Sequence, residues 1–180
     1  MGKTIKRKNK QNRNCDTYFN ESDYLSSDGM ITTIWGPPLW HFLHTISFNY
    51  PISPTIEQKK DYKQFILLLK YILPCKHCRD NFKKNLKDLP LSDKVFNNRQ
   101  TFSEYIYNLH ELVNKMLGKK SNLTYLQVRN RYERFRARCD KSKTKKKGKE
   151  KGCIHPLYGK KKNKCVLKIV DKKSKSTSFG

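Results

Sequence analysis

Cys75 and Cys78 stand at C-x-x-C spacing within Pro74-Cys75-Lys76-His77-Cys78, directly after the apolar run 65–73. Two thiols three residues apart can ligate zinc, lock a structural disulfide, or cycle between dithiol and disulfide. In the first turn of a helix both sulfurs would share one face. The unpaired N–H groups of that turn would then favour thiolate over thiol. Lys76, His77 and Arg79 add cationic neighbours. Two other segments carry side chains with chemistry to offer: Trp40-His41-Phe42-Leu43-His44 upstream and His110-Glu111-Leu112-Val113-Asn114 downstream. Singly, Trp40 on an apolar helix face is ordinary core, and His44 and His110 are ordinary hydrogen-bonded histidines. Their grouping around a dithiol makes them candidates.

The elements that must position these groups read as helices. Trp35-Gly36-Pro37-Pro38 reads as a turn feeding a helix from Leu39 to about Tyr50, stopped by Pro51. Trp40, Leu43, His44 and Ser47 share one face of it. A second helix is predicted from about Thr55 to Leu73, with Phe65, Leu68, Leu69 and Ile72 as its apolar stripe. Pro74 is placed to start a third, which carries both cysteines in its first turn and runs to about Leu86. Thr101 or Ser103 can cap a fourth helix, with Phe102, Ile106, Leu109, Val113 and Met116 facing inward and Gly118 closing it. A fifth runs from about Thr124 to Arg138, with Tyr125, Val128, Tyr132 and Phe135 as its stripe. No segment alternates with a period of two. The expected fold class is all-α: a four-helix bundle plus a short fifth helix.

The 180-residue chain carries 40 Lys+Arg against 15 Asp+Glu, and the excess is uneven. Residues 140–180 hold 15 of those bases and only 3 acids, too little apolar content to offset the entropy of ordering. The expected organisation is a polar N-terminal tail over residues 1–30, a globular domain over 31–139, and a Lys-rich, largely disordered tail over 140–180. Ser26-Ser27-Asp28-Gly29 reads as a linker. No stretch has the length and hydrophobicity of a membrane span. The start Met1-Gly2-Lys3-Thr4-Ile5-Lys6 lacks an apolar run, so synthesis in the cytosol is expected. Cysteines there ordinarily stay reduced or bind metal.

In order, Trp35-Gly36-Pro37-Pro38-Leu39-Trp40-His41-Phe42-Leu43-His44-Thr45, Tyr50-Pro51, Pro74-Cys75-x-x-Cys78 and Leu109-His110-x-x-Val113-Asn114-x-x-Leu117-Gly118-Lys119 resemble the Erv/ALR family of FAD-dependent sulfhydryl oxidases, over about residues 34–135. The resemblance implies FAD in the mouth of the bundle. Gly36, Trp40 and His44 would line the flavin, with Tyr50 as a wall residue. His110, Asn114 and Lys119 would contact the adenine and phosphate end, and Arg131 and Tyr132 would match the family's Arg-Trp pair near the adenine. Cys78 would be the flavin-proximal thiol and Cys75 the one that exchanges with substrate. The implied reaction oxidises thiols of protein substrates to disulfides and passes the electrons to O2, giving H2O2. A homodimer through the first two helices is also implied. The Lys-, Asn- and Tyr-rich usage resembles versions encoded by large DNA viruses, which would act in host cytoplasm or virion.

The chain departs from the family at two points. A cysteine expected near Tyr125, to tie the last helix to one near Cys139, is missing, and Arg-Trp has become Arg131-Tyr132. Cys153 and Cys165 lack the C-x-x-C spacing of the family's shuttle pair, and Cys15 has no evident partner. With His155 they also fall short of a metal site, and no metal is expected. The competing reading is a basic, helical nucleic-acid-binding protein with a cysteine-based zinc site, whose Lys-rich tail would bind polyanions through counterion release. Against it, no second cysteine pair follows Cys78 at finger-like spacing.

Overall fold

The computed structural model describes residue 22, residues 25–138 and residues 155–156. Five α-helices carry the fold: α1 Thr32–Asn49, α2 Ile56–Ile72, α3 Lys76–Asp88, α4 Arg99–Met116 and α5 Tyr125–Glu133. A 3-10 turn, Asp93–Phe96, precedes α4. The fold is all-α. Its extended pieces are a two-residue antiparallel pair, Ala137–Arg138 with His155–Pro156, and one bridge at Gly29. The disorder expected of the 140–180 tail otherwise falls outside the described residues.

Local chemistry explains where the helices begin. Thr55 caps α2 and Thr124 caps α5, each through a capping box with Gln58 and Gln127. Asn98 caps α4 in the same way with Thr101, so the cap lies three residues before the predicted Thr101. Such a cap is worth about 1 kcal/mol. Gly118 closes α4 at φ +65°, a conformation that favours glycine.

Two boundaries differ from expectation. α1 begins at Thr32, not Leu39, and takes Pro37 and Pro38 inside it. The two prolines forgo bonds to the Thr33 and Ile34 carbonyls, but both residues are exposed, so water can take those carbonyls. The Trp35 indole N–H donates to Met30 O at 3.1 Å and fixes the entry. α5 stops at Glu133, short of Arg138: the N–H groups of Phe135 and Arg136 close back on Tyr132 and Glu133, and Arg136 donates to Glu133 and to Phe48 O.

The core joins Leu43 of α1, Ile66 and Leu69 of α2, Phe82 of α3, and Phe102, Ile106 and Leu109 of α4, all buried. α1 packs on α4 and α5, and α2 packs on α3. The predicted α2 stripe is rotated. Tyr62, Ile66, Leu69 and Leu73 face the core, whereas Leu68 and Ile72 are 43% and 61% exposed. The run Phe65-Ile66-Leu67-Leu68-Leu69 is apolar on every side, so periodicity alone cannot choose its inner face. Met116 and Phe135, also predicted inward, are exposed at the ends of their helices. No helix among the described residues is long and apolar enough to cross a membrane.

Candidate active site

Cys75 is the N-cap of α3 rather than a first-turn residue, and Pro74 lies outside the helix. The extended backbone of Cys75 (φ −155°, ψ 125°) turns its Sγ onto the N–H of Cys78, 3.2 Å away. The sulfur thus takes the place that a serine or aspartate oxygen takes in an ordinary cap. Both thiols are free and half-buried. Burial pushes the Cys75 thiol up, but hydrogen bonds from Cys78, Thr32 and the His77 amide outweigh it and leave it below the ordinary thiol value. Burial and the neighbouring Cys75 raise Cys78, against the lowering effects of Thr32 and Arg79. The pair is therefore polarised: Cys75 ionises first.

A segment read as a linker holds this cap. Met30 N–H donates to Pro74 O at 2.6 Å, and Lys76 N–H donates to Asp28 O at 3.1 Å, which places Gly29 opposite Cys75 in an antiparallel bridge. Gly29 has φ +93°, and a Cβ there would lie 2.4 Å from Pro74 O. Only glycine fits. The chain then enters α1, whose first residue, Thr32, puts its hydroxyl 3.7 Å from Cys78 Sγ.

From Thr32 the residues Gly36, Trp40 and His44 follow at steps of four, so they share one face of α1. Gly36 is buried, yet a Cβ added there would meet only Thr32 Cγ2, at 3.4 Å. Apart from the helix's own backbone and the two chain neighbours, no other atom lies within 4 Å of that point, so the missing side chain leaves a notch beside Thr32. Trp40 stacks on His110 with ring centroids 4.1 Å apart and planes 5° from parallel. His44 Nε2 meets His110 Nδ1 at 3.0 Å, while His44 Nδ1 is buried with no hydrogen-bond partner. Burial, then the charges of His110 and His41, push His44 down to about 3, and burial also lowers His110. Both imidazoles are neutral near pH 7, so one ring donates the shared hydrogen and the other accepts it. Tyr132 of α5 lies 5.1 Å from the His44 ring, and its hydroxyl meets His41 Nδ1 at 3.2 Å. That His41 contact was not predicted. No sequence signal marks it, because the pair is 91 residues apart.

The other predicted residues are placed as follows. Asn114, one turn beyond His110, is half-buried and donates to Glu111 at 3.0 Å. The Lys119 amide donates to Asn114 O at 2.8 Å, and its charge lowers His110. Arg131 is exposed beside Tyr132 and lowers its hydroxyl against the larger raising effect of burial. Tyr50 requires a correction: it is fully buried, donates to Phe96 O at 3.0 Å, and packs on Tyr62 and Phe102. It is a core residue apart from the cluster. Cys15, Cys139, Cys153 and Cys165 lie outside the described residues. Among the described residues no cluster of three His, Cys, Asp or Glu could hold a metal ion. The Tyr125 hydroxyl meets Ser103 Oγ at 2.8 Å.

The arrangement offers flat aromatic faces, a buried nitrogen lacking a partner, exposed cations and a polarised dithiol, contributed by α1, α3, α4 and α5. A model of the Erv1 / Alr family matches residues 37–135. The chain is 40% identical over 91 residues to a probable FAD-linked sulfhydryl oxidase of Acanthamoeba polyphaga mimivirus, a match covering 51% of this chain and 63% of that protein. It is 32% identical over 99 residues to the FAD-linked sulfhydryl oxidase of African swine fever virus (isolate Pig/Kenya/KEN-50/1950), covering 55% of this chain and 80% of that one. The crystal structure of the FAD binding domain of Erv1 from Saccharomyces cerevisiae superposes with a TM-score of 0.52 at 27% identity, over 57% of this chain and 94% of that one. With the matched region taking in the helices that carry Trp40, the dithiol, His110 and Tyr132, the chain belongs to the Erv1 / Alr family.

Proposed function

We propose that this chain is an FAD-dependent thiol oxidase that forms disulfides in protein substrates. The observation that carries this reading is the single face of α1 on which Thr32, Gly36, Trp40 and His44 lead from the dithiol to the imidazole cluster. The residues fit the cofactor. The notch at Gly36 gives space beside Thr32. Trp40, His110 and Tyr132 suit a flat heterocycle, and His44 Nδ1 asks for a polar partner. Lys119 and Arg131 suit a pyrophosphate. Gly36, Trp40, His44, His110, Asn114, Lys119, Arg131 and Tyr132 would hold it; Tyr50 would not. FAD, when bound, accepts the electron pair released as the dithiol closes and passes it to O2, giving H2O2.

The chain's own part is thiol–disulfide exchange. A substrate thiolate attacks Cys75 Sγ of the closed pair; a sulfur–sulfur bond forms to the substrate, the Cys75–Cys78 bond breaks, and its electron pair goes to Cys78 Sγ. A second substrate thiolate attacks the substrate sulfur of the mixed disulfide and releases Cys75 as thiolate. The hydrogen bonds that lower Cys75 make it the better leaving group in this second step. The pair is left as two thiols once protonated.

Three finer features belong to the same proposal. The exposed apolar side chains Phe42, Leu68 and Ile72 on α1 and α2 fit a second copy of the chain. The basic residues of 140–180 would add salt-sensitive polyanion binding. The viral relatives support action in a host cytoplasm or in a virion. Recombinant protein should purify yellow, with FAD, and should consume O2 when given dithiothreitol. Folded protein that takes up no flavin even when FAD is added would refute the reading.

A further inference from the structure

We propose that Thr32 is a further catalytic residue of the dithiol: its hydroxyl donates a hydrogen bond to the sulfur that carries negative charge during exchange, and the Asp28–Met30 strap holds it there. This rests on the thiol-oxidase reading above. Three observations carry it.

The first is contact. Thr32 Oγ1 lies 3.7 Å from Cys78 Sγ, within hydrogen-bond range for sulfur, although the two residues are 46 positions apart. The second is attachment. Thr32 stands two residues after the strap, which is bonded on both sides of Cys75 through Pro74 O and Lys76 N–H. Gly29 allows that approach, since any Cβ would collide with Pro74 O. The backbone that leads into Thr32 is thus tied to the backbone on either side of Cys75, and from there the Thr32 hydroxyl reaches Cys78. The third is position. Thr32 is exposed and stands at the first turn of α1, where no packing reason requires a hydroxyl. α1 has no side-chain cap, so the hydroxyl is not used in that role either.

The chemistry follows the exchange steps. When substrate attacks Cys75, the electron pair of the broken sulfur–sulfur bond arrives on Cys78 Sγ. Cys78 accepts no backbone N–H bond of the kind that Cys75 receives from Cys78 itself, and burial disfavours its charge. The Thr32 hydroxyl donates to that thiolate with no proton transferred. The charged or titratable side chains nearest in the chain are Arg79, Lys76 and His77 on α3 and Asp28 on the strap; Arg79 lowers Cys78.

The test uses the full chain with Thr32→Val, which keeps shape and removes the hydroxyl, Thr32→Ser, which keeps the hydroxyl, and Gly29→Ala, which displaces the strap. The first readout is the pH profile of iodoacetamide labelling of the Cys75–Cys78 peptide in reduced protein, followed by mass spectrometry. It needs neither flavin nor turnover, so it stands whether or not the wild type oxidises thiols. The second is dithiothreitol oxidation. Thr32→Val should shift the labelling profile to higher pH and slow turnover about tenfold, the scale of one hydrogen bond to a charged group. Thr32→Ser should return both to within about twofold of wild type, and flavin content should not change. Gly29→Ala should shift the profile in the same direction. A Thr32→Val protein with a wild-type profile and rate would overturn the role of the hydroxyl, and an unshifted profile in Gly29→Ala would overturn the role of the strap. Wild-type protein that does not turn over thiols would instead count against the oxidase reading.

Discussion

At the scale of single residues, the site sets two thiols and two imidazoles to different tasks by burial and hydrogen bonding. Cys78 is raised by burial and by the neighbouring Cys75, whereas at Cys75, three residues away, hydrogen bonds from Cys78, Thr32 and the His77 amide outweigh burial and lower it. His44 is held neutral by burial, and this has a consequence for stability. Its folded-state pKa of about 3 lies below the ordinary 6.5. Above that ordinary value neither state binds the proton and nothing is lost. As pH falls through it, the unfolded chain takes up a proton that the folded chain refuses until about 3, so stability declines across that window. The slope from this one group approaches about 1.4 kcal/mol per pH unit. Urea denaturation of wild type and His44→Leu between about pH 7 and pH 4 should show a flatter dependence in the variant. Equal slopes would mean that another group carries the acid sensitivity.

At the scale of elements, the question is what fastens α5, which carries Tyr132 to the cluster. α5 begins at Tyr125, whose ring packs near Phe48 and Tyr107 and whose hydroxyl meets Ser103. Arg136 adds its bond to Phe48 O. Tyr125→Phe should cost only about 1 kcal/mol, since Ser103 keeps its bond to Gln100 O. Tyr125→Ala should cost about 3 kcal/mol through lost aromatic packing. Equal losses in the two variants would assign the fastening to the hydroxyl instead. Helices were legible in the sequence where local chemistry marks them, as at Thr124 and Gly118. They were not legible where the signal is ambiguous. Pro37-Pro38 reads as a turn feeding a helix, but here lies inside α1, where the carbonyls it leaves free belong to the exposed residues Thr33 and Ile34. The α2 run is apolar all round and so hides its inner face. The Gly29–Cys75 bridge is non-local, and nothing near Asp28-Gly29 says which strand edge it will meet. The resemblance named Trp40, His44 and His110 but set His110 at the adenine and phosphate end, so the direct stacking of Trp40 on His110 and the His44–His110 contact were not legible in it. Tyr50 was misread for the complementary reason: a motif position says nothing of burial.

At the scale of the whole molecule, the charge and the apolar surface point to different partners. Phe42, Leu68 and Ile72 leave an apolar face on α1 and α2, away from the imidazole cluster. If that face joins two copies, Leu68→Glu should convert a dimer to a monomer in analytical ultracentrifugation, with the helical circular-dichroism signal unchanged. A wild-type protein that sediments as a monomer at micromolar concentration would remove the dimer from the proposal. The proposed oxidase activity depends on the path from the dithiol to the cofactor along α1. Its most direct test is anaerobic: dithiothreitol is added to flavin-loaded wild type, Cys75→Ser and Cys78→Ser, and the flavin's visible absorbance is followed. The account predicts rapid bleaching in the wild type and none on that timescale in either variant, with flavin retained in all three. Bleaching of either variant at the wild-type rate would contradict it.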